Sequence, residues 1–281
     1  VSIPNGLRFW KGHGTENDFV LLPDPDGEID LTAELVRALC DRRAGIGADG
    51  VLRIVRSAKH PESAQYAAEA EWFMDFHNAD GLVGEMCGNG LRVFGRWLLT
   101  HGEAGPGPFM VATRAGLRRV TPDGDLITID ACRPAIGAPT RAIVTGRTYE
   151  GVAVDVGNPH LVCVVDGPDT VTSLDLSRIP EIDATVHPAG ANVEFVALDQ
   201  PPVDGADLHV VMRVHERGVG ETRSCGTGAC AVAAVALRRA GRVDGTVAVD
   251  VPGGRLFVRL DGPSALLTGP AVLVATGEYA R

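Results

Sequence analysis

Short apolar runs separated by Gly, Asp and Pro recur along the chain: GVLRIV at 50–55, EWFMDF at 71–76, LITIDA at 126–131, GVAVDV at 151–156, NVEFVAL at 192–198 and LHVVMRV at 208–214. Runs of this length, rich in β-branched and aromatic residues and bounded by turn formers, predict strands. Turn chemistry predicts two hairpins, one through Pro122-Asp123-Gly124 between LRRV and LITID, the other through Pro252-Gly253-Gly254 between TVAVDV and RLFVRL. Helical spacing of apolar positions is confined to a few segments. DLTAELVRALCDRR from Asp30 has it behind an Asp or Thr cap, and so do the runs that follow Cys87 to about Thr100 and Cys225 to about Ala240. HGEAGPGP at 101–108 stops the helix after Cys87, and RSAKHPESAQYAAEA at 56–70 predicts a solvated insertion between strands.

The two halves of the pattern repeat. FHNADGLVGEMCGNG (76–90) aligns without gaps on VHERGVGETRSCGTG (214–228), matching His77 with His215, Cys87 with Cys225, and both glycines that follow each thiol. Upstream, ENDFVLL (16–22) has a loose counterpart in GNPHLVC (157–163), and GADGVLRIV (47–55) in GANVEFVAL (190–198). The order of parts is the same in both halves, which predicts two similar domains from an internal duplication.

Composition narrows the class. A chain of 281 residues with 45% apolar and 22% charged residues buries one large core or two ordinary ones and is expected to be globular. With no run of about eighteen apolar residues and no basic then apolar N-terminal pattern, neither a membrane partner nor a signal peptide is expected, and the cytoplasm is the default compartment. A net charge of −10 argues against a nucleic-acid partner, which needs clustered Lys and Arg, and favours a small molecule. Six cysteines are too sparse for a disulfide scaffold in a chain this long. Cys40, Cys132, Cys163 and Cys230 sit in apolar contexts and are expected to be buried thiols.

Cys87 and Cys225 require another explanation. A thiol at the first turn of a helix sits among unpaired N–H groups at the positive end of the dipole, which is expected to lower its pKa from about 8.5 towards neutrality. The glycines that follow let a ligand approach the backbone, whose N–H groups hold a carboxylate or oxyanion. Two such thiols suit removal of a proton from one face of a planar carbanion and its return to the other, whereas a hydrolase has no use for the duplication. Other chemistries fit less well. Cys225 and Cys230 lack zinc spacing, CGNG and CGTG lack the Lys-Ser/Thr ending of a phosphate loop, and a pyridoxal enzyme needs a Schiff-base lysine where this chain has only Lys11 and Lys59. A redox dithiol remains open but leaves the glycines without a purpose.

KGHGTENDFVLLPD, CDRRAGIGADG, NADGLVGEMCGNGLRVF, VGNPHLV, ANVEF and ERGVGETRSCGTGACA together resemble the diaminopimelate epimerase family over nearly the whole chain. That resemblance implies an isomerase that interconverts LL- and meso-2,6-diaminopimelate in lysine and peptidoglycan biosynthesis, without pyridoxal phosphate, any other cofactor or a metal, as a cytoplasmic homodimer. It implies Cys87 and Cys225 as the catalytic pair, with His160 and Glu216 in support. The α-carboxylate nests fall on Gly88 with Asn89 and on Gly226 with Thr227, and further substrate contacts on Asn17, Asn78, Asn158, Asn192, Glu216 and Arg217. Asn side chains and the planar fork of Arg217 suit a substrate with an amino acid at each end. The implied fold is α+β: two pseudo-symmetric domains, each a mixed sheet or barrel wrapped round a central helix, with the site in the cleft. The first domain would span 1–131, with 268–281 (containing AVLVATGEY) returning to it, and the second 132–267. His77 and His215 match within the repeat and are expected to be structural. Many family members carry Gln after the GIGxD element, where this chain has Gly50, so that contact is in doubt. Proline racemases and hydroxyproline epimerases generally show CGHG at the first thiol, in contrast to Asn89 here, and an amino-acid-binding protein would need neither thiol.

Overall fold

The computed structural model describes residues 6–279. The chain divides into two compact units, one made of the stretch up to Ile129 together with the stretch from Pro270, the other of Asp130–Gly269. Among the described residues no helix is long and apolar enough to cross a membrane. The protein is a sheet-dominated α+β molecule.

In the first unit β1 (Leu7–Gly14) folds back antiparallel on β2 (Asn17–Pro23), and α1 (Ala33–Cys40) leads into β3 (Gly50–Arg56), which runs parallel to β2. β4 (Trp72–Asn78) pairs antiparallel with β3 and hands the chain to α2 (Gly88–Thr100); β5 (Phe109–Thr113), β6 (Gly116–Asp123) and β7 (Leu126–Ala131) follow. The second unit repeats the order. It begins with the hairpin of β8 (Ala135–Val144) and β9 (Arg147–Asp155), then β10 (Pro159–Val165), the short α3 (Pro168–Ser173) and β11 (Glu181–Ile182). β12 (Asn192–Ala197) lies parallel to β10, and β13 (Leu208–Glu216) is antiparallel to β12. β14 (Gly220–Thr222), α4 (Gly226–Arg239), β15 (Gly245–Val251), β16 (Gly254–Asp261) and β17 (Ser264–Pro270) complete the succession. The last strand, β18 (Val272–Tyr279), pairs antiparallel with β1.

Each unit is organised round its long helix. α2 packs against β1, β2, β3, β4, β6 and β18, and α4 against β8, β10, β12, β13, β15 and β16. A helix enclosed by sheet on most sides must be small or apolar on most sides. Gly, Ala, Val and Cys supply this along α4, which is buried continuously from Gly228 to Leu237. α2 achieves the same with Leu91, Val93, Phe94 and Leu98, with two buried polar exceptions, Asn89 and Arg92.

Local signals hold in part. Thr32, not Asp30, caps α1: its hydroxyl accepts from Leu35 N, as an N-cap must. The first expected hairpin turn shifts, because Asp123 pairs with Leu126 and leaves Gly124 and Asp125 as the loop, with Gly124 at φ +57°. Residues 56–70 are not merely a solvated insertion. They form two 3-10 turns, Ser57 and Ser63 are buried, the His60 ring lies tilted against Phe73 at 4.7 Å, and Tyr66 and Ala70 join the Val55 and Phe73 cluster. The buried positions there, Ser57, Ser63 and Ala70, have neither helical nor strand periodicity. Cys40, Cys163 and Cys230 are buried as expected, and burial pushes Cys40 and Cys163 up to about 12. Cys132 is half-exposed, since it lies where the chain crosses from β7 to β8 rather than within a strand.

Candidate active site

In the first unit Cys87 is the N-cap of α2, its Sγ accepting from Gly90 N at 3.4 Å. Beside it lies the tight turn between β1 and β2, where Thr15 and Glu16 both adopt left-handed backbone, φ 49° and 60°. A β-branched residue there costs about 1–2 kcal/mol, which surrounding contacts must offset. Arg92 supplies such a contact by donating to Thr15 Oγ1. The turn delivers Asn17 to the thiol. Arg92 also donates to Asn89 Oδ1 (3.0 Å), Asn89 Nδ2 to Asn17 Oδ1 (3.1 Å), and Asn17 Nδ2 to Asp49 Oδ2 (2.7 Å). With a pure donor at one end and a carboxylate at the other, both amides have one orientation. Asn17 Oδ1 is thereby turned to the Cys87 thiol, which donates to it at 3.8 Å. Asp49 and Asp18 share Arg42, and Asp18 also takes Lys11 at 2.6 Å. Burial opposes charge on Asp18, yet the Arg42 and Lys11 donors hold its carboxyl below the usual carboxylate range.

In the second unit Cys225 caps α4 in the same way, with Gly228 N donating to Sγ at 3.4 Å and the Thr227 hydroxyl 3.5 Å away. The expected fall in thiol pKa does not occur. Burial pushes Cys225 well above the ordinary thiol value, and the carboxylates of Glu216 and Glu194 add to it. The helix terminus is outweighed by desolvation and by two like charges. Burial likewise raises Glu216, against hydrogen bonds with the Thr222 hydroxyl and the Cys225 thiol that favour its ionised form. His160 is fully buried, Nδ1 2.7 Å from Glu194 Oε1 and Nε2 3.0 Å from Asn158 Oδ1. Asn192, opposite His160 in the parallel ladder, accepts from Arg217 N at 2.9 Å.

The residues singled out from sequence thus form two groups, Asn17, Cys87, Gly88 and Asn89 in one unit, and Asn158, His160, Asn192, Glu216, Arg217, Cys225, Gly226 and Thr227 in the other. Asn78 ends β4, paired with Gly50 next to Asp49 and donating to Leu82 O. The Arg217 side chain is exposed and donates to Ala189 O, so its guanidinium is solvated rather than buried. His77 is buried against Asp75 at 2.9 Å and His215 is buried in β13. Polar residues passed over in the sequence also lie against these groups, among them Asp49, Arg92, Glu194 and Thr222. For Arg92 and Glu194 the signal was a charge in an otherwise apolar segment, GLRVF and NVEFVAL.

Gly50 has a steric cause. A Cβ at this position would lie 2.6 Å from His77 O and 2.9 Å from Phe76 Cε2, so β3 and β4 leave no space for a side chain. Gly50→Gln is expected to lower stability by about 1–3 kcal/mol, the range for overpacking, without restoring a contact. The midpoint of urea unfolding checks this, and an unchanged midpoint would contradict the steric account.

The model of the family described as diaminopimelate epimerase matches residues 9–130 and 152–278. The chain is 50% identical over 285 residues to a diaminopimelate epimerase of Streptomyces coelicolor, covering 97% of this chain and 95% of that protein. It is 51% identical over 278 residues to one of Thermobifida fusca, covering 97% of each. Among solved structures it is similar to a Bacillus anthracis phenazine biosynthesis protein of the PhzF family (TM-score 0.71, 14% identity, 99% of this chain and 100% of the other). It is also similar to a hydroxyproline epimerase from Agrobacterium vitis (TM-score 0.63, 17% identity, 98% and 91%). At these identities the two structures show a shared fold.

Proposed function

The chain belongs to the diaminopimelate epimerase family, and from that premise we propose that it interconverts LL- and meso-2,6-diaminopimelate by proton transfer between two cysteines, without a cofactor. The observation that carries this reading is the repetition of one device: in each unit a thiol is the N-cap of a buried helix whose first turn is Gly-x-Gly. One thiolate takes the α-proton, leaving the electron pair on a carbon conjugated with the carboxylate. The N–H groups of Gly88 and Asn89, with those of Gly226 and Thr227, hold that carboxylate as negative charge spreads onto it. The other thiol returns a proton to the opposite face, so that the thiolate and the thiol exchange roles. Glu216 and His160 carry the proton that must be re-equilibrated before the next turnover. Asn17, Asn78, Asn158, Asn192 and Arg217 recognise the ammonium and carboxylate groups, Arg217 taking the distal carboxylate by its planar fork. The enzyme acts as a cytoplasmic homodimer supplying lysine and peptidoglycan synthesis.

The test is to incubate the purified protein under reducing conditions with LL-diaminopimelate and follow the meso isomer, with L-lysine and L-proline in parallel. Turnover of diaminopimelate is expected, with lysine and proline very poor substrates because they leave the distal groups unpaired. Equal turnover of proline or lysine would replace this reading with a broader racemase.

A further inference from the structure

The two units share a scaffold beneath their thiols but not its chemistry. In the parallel pair β2 and β3, Phe19 lies two residues before Leu21, the partner of Leu52; in β10 and β12, His160 lies two residues before Val162, the partner of Glu194. The helices confirm the equivalence. A Cβ placed on Gly90, the third residue of α2, would meet Leu52 Cδ2 at 3.2 Å and Phe19 Cζ at 3.5 Å. Placed on Gly228, the third residue of α4, it would meet Glu194 Oε1 at 2.7 Å. The floor under Cys87 is therefore Leu52 and Phe19, and the floor under Cys225 is Glu194 with His160 bonded to it, all four essentially inaccessible.

Packing alone does not account for the polar floor. The first unit demonstrates that an apolar pair fills this position, and exchanging a buried ionic pair for apolar residues is commonly neutral or stabilising. Glu194 is, moreover, incompletely satisfied: Oε1 takes His160 Nδ1, whereas Oε2 is buried with no hydrogen-bond partner. A carboxylate so placed occupies the positive end of α4, the same field that would otherwise favour a thiolate on the capping cysteine. The corresponding place in α2 is taken by Leu52, which carries no charge.

We propose that Glu194 is a positioning residue that holds His160 and keeps Cys225 protonated, so that Cys225 is the proton donor of the resting enzyme and the two thiols are chemically unequal. This rests on the two-cysteine reading above. The ionisable groups facing Cys225 are Glu216 from β13, Glu194 from β12 and, through Glu194, His160 from β10; α4 brings the Thr227 hydroxyl and no acidic residue in its first turn. Of these, Glu194 and His160 are the members replaced by apolar residues in the first unit.

The experiment is iodoacetamide labelling of the ligand-free, reduced protein across the neutral to alkaline range, with the Cys87 and Cys225 peptides quantified by mass spectrometry. In Glu194→Gln, which keeps the volume and one acceptor, the Cys225 midpoint is expected to fall by about one pH unit or more, so that labelling below the midpoint is about tenfold faster. The Cys87 midpoint in the same sample stays fixed. Glu194→Leu combined with His160→Phe, which copies the first unit's floor, should shift Cys225 in the same direction and serves if Glu194→Gln fails to fold. A Cys225 midpoint that does not move, or that moves together with that of Cys87, overturns the proposal. Labelling needs no turnover, so it separates the two ideas: wild-type epimerisation with unmoved midpoints removes the role of Glu194, and shifted midpoints without wild-type epimerisation remove the proposed function.

Discussion

Cys87→Ala and Cys225→Ala are each expected to lower turnover of LL-diaminopimelate by roughly 10²–10⁴-fold or more, the usual worth of a positioned acid or base. In the proposed mechanism each thiol serves a different face of the α-carbon, so neither would compensate for the other. Each Sγ also caps its helix, through Gly90 N and Gly228 N, and alanine therefore removes a cap as well, costing on the order of 1 kcal/mol. Serine separates the two effects. It is a good N-cap but a far weaker acid, so Cys87→Ser and Cys225→Ser should keep the melting temperature close to that of wild type while remaining as inactive as alanine. Thermal melts alongside the epimerisation assay make the comparison. Near wild-type turnover in any of the four variants would refute the two-base assignment.

Arg92→Met is expected to damage both stability and activity. The side chain is fully enclosed and donates to Asn89 Oδ1 and Thr15 Oγ1, with longer bonds to Gly88 O and Pro270 O at 3.4 Å. Methionine fills much of the same volume but donates nothing, leaving buried acceptors unpaired at about 1–3 kcal/mol each, not additively. A loss on the order of 3 kcal/mol in urea unfolding follows. The consequence for the site is separate. Without the donor at one end, the Asn89 amide loses the contact that fixes its orientation, and the hydrogen bond that presents Asn17 Oδ1 to Cys87 is weakened with it. A fall in kcat larger than any rise in KM is expected, because the residue orders the thiol rather than binding the substrate directly. Full activity in a protein destabilised to the expected extent would show that Arg92 serves the fold alone.

How much was legible without coordinates differs from element to element. The thiol at each helix start was readable because capping and helix initiation are local events, specified within three or four residues by Cys-Gly-x-Gly and the apolar run behind it. Strands at Gly50, Leu126, Asn192 and Leu208 were readable for the same reason, and so was the duplication, since it preserves the order of parts. The 3-10 turns of residues 57–66 were not, because their packing comes from contact of Tyr66 and His60 with the sheet, which no local periodicity records.

The electrostatics of the site belong to tertiary structure. Helix-dipole reasoning treats Cys87 and Cys225 as equals, for the segments that carry them are nearly the same. What lies beneath them differs, and it comes from about thirty residues upstream in the chain or more, where β3 contributes Leu52 and β12 contributes Glu194 to the floor of the first helical turn. Likewise Arg92, Asn89, Asn17 and Asp49 are scattered over β2, the segment before β3, and α2, and nothing in their spacing predicts a single chain of hydrogen bonds. Local sequence specifies a side chain's identity and its position on an element; its protonation and orientation depend on which charges and dipoles the packed strands bring within a few ångströms, and that is settled when β2 with β3, and β10 with β12, close round their helices.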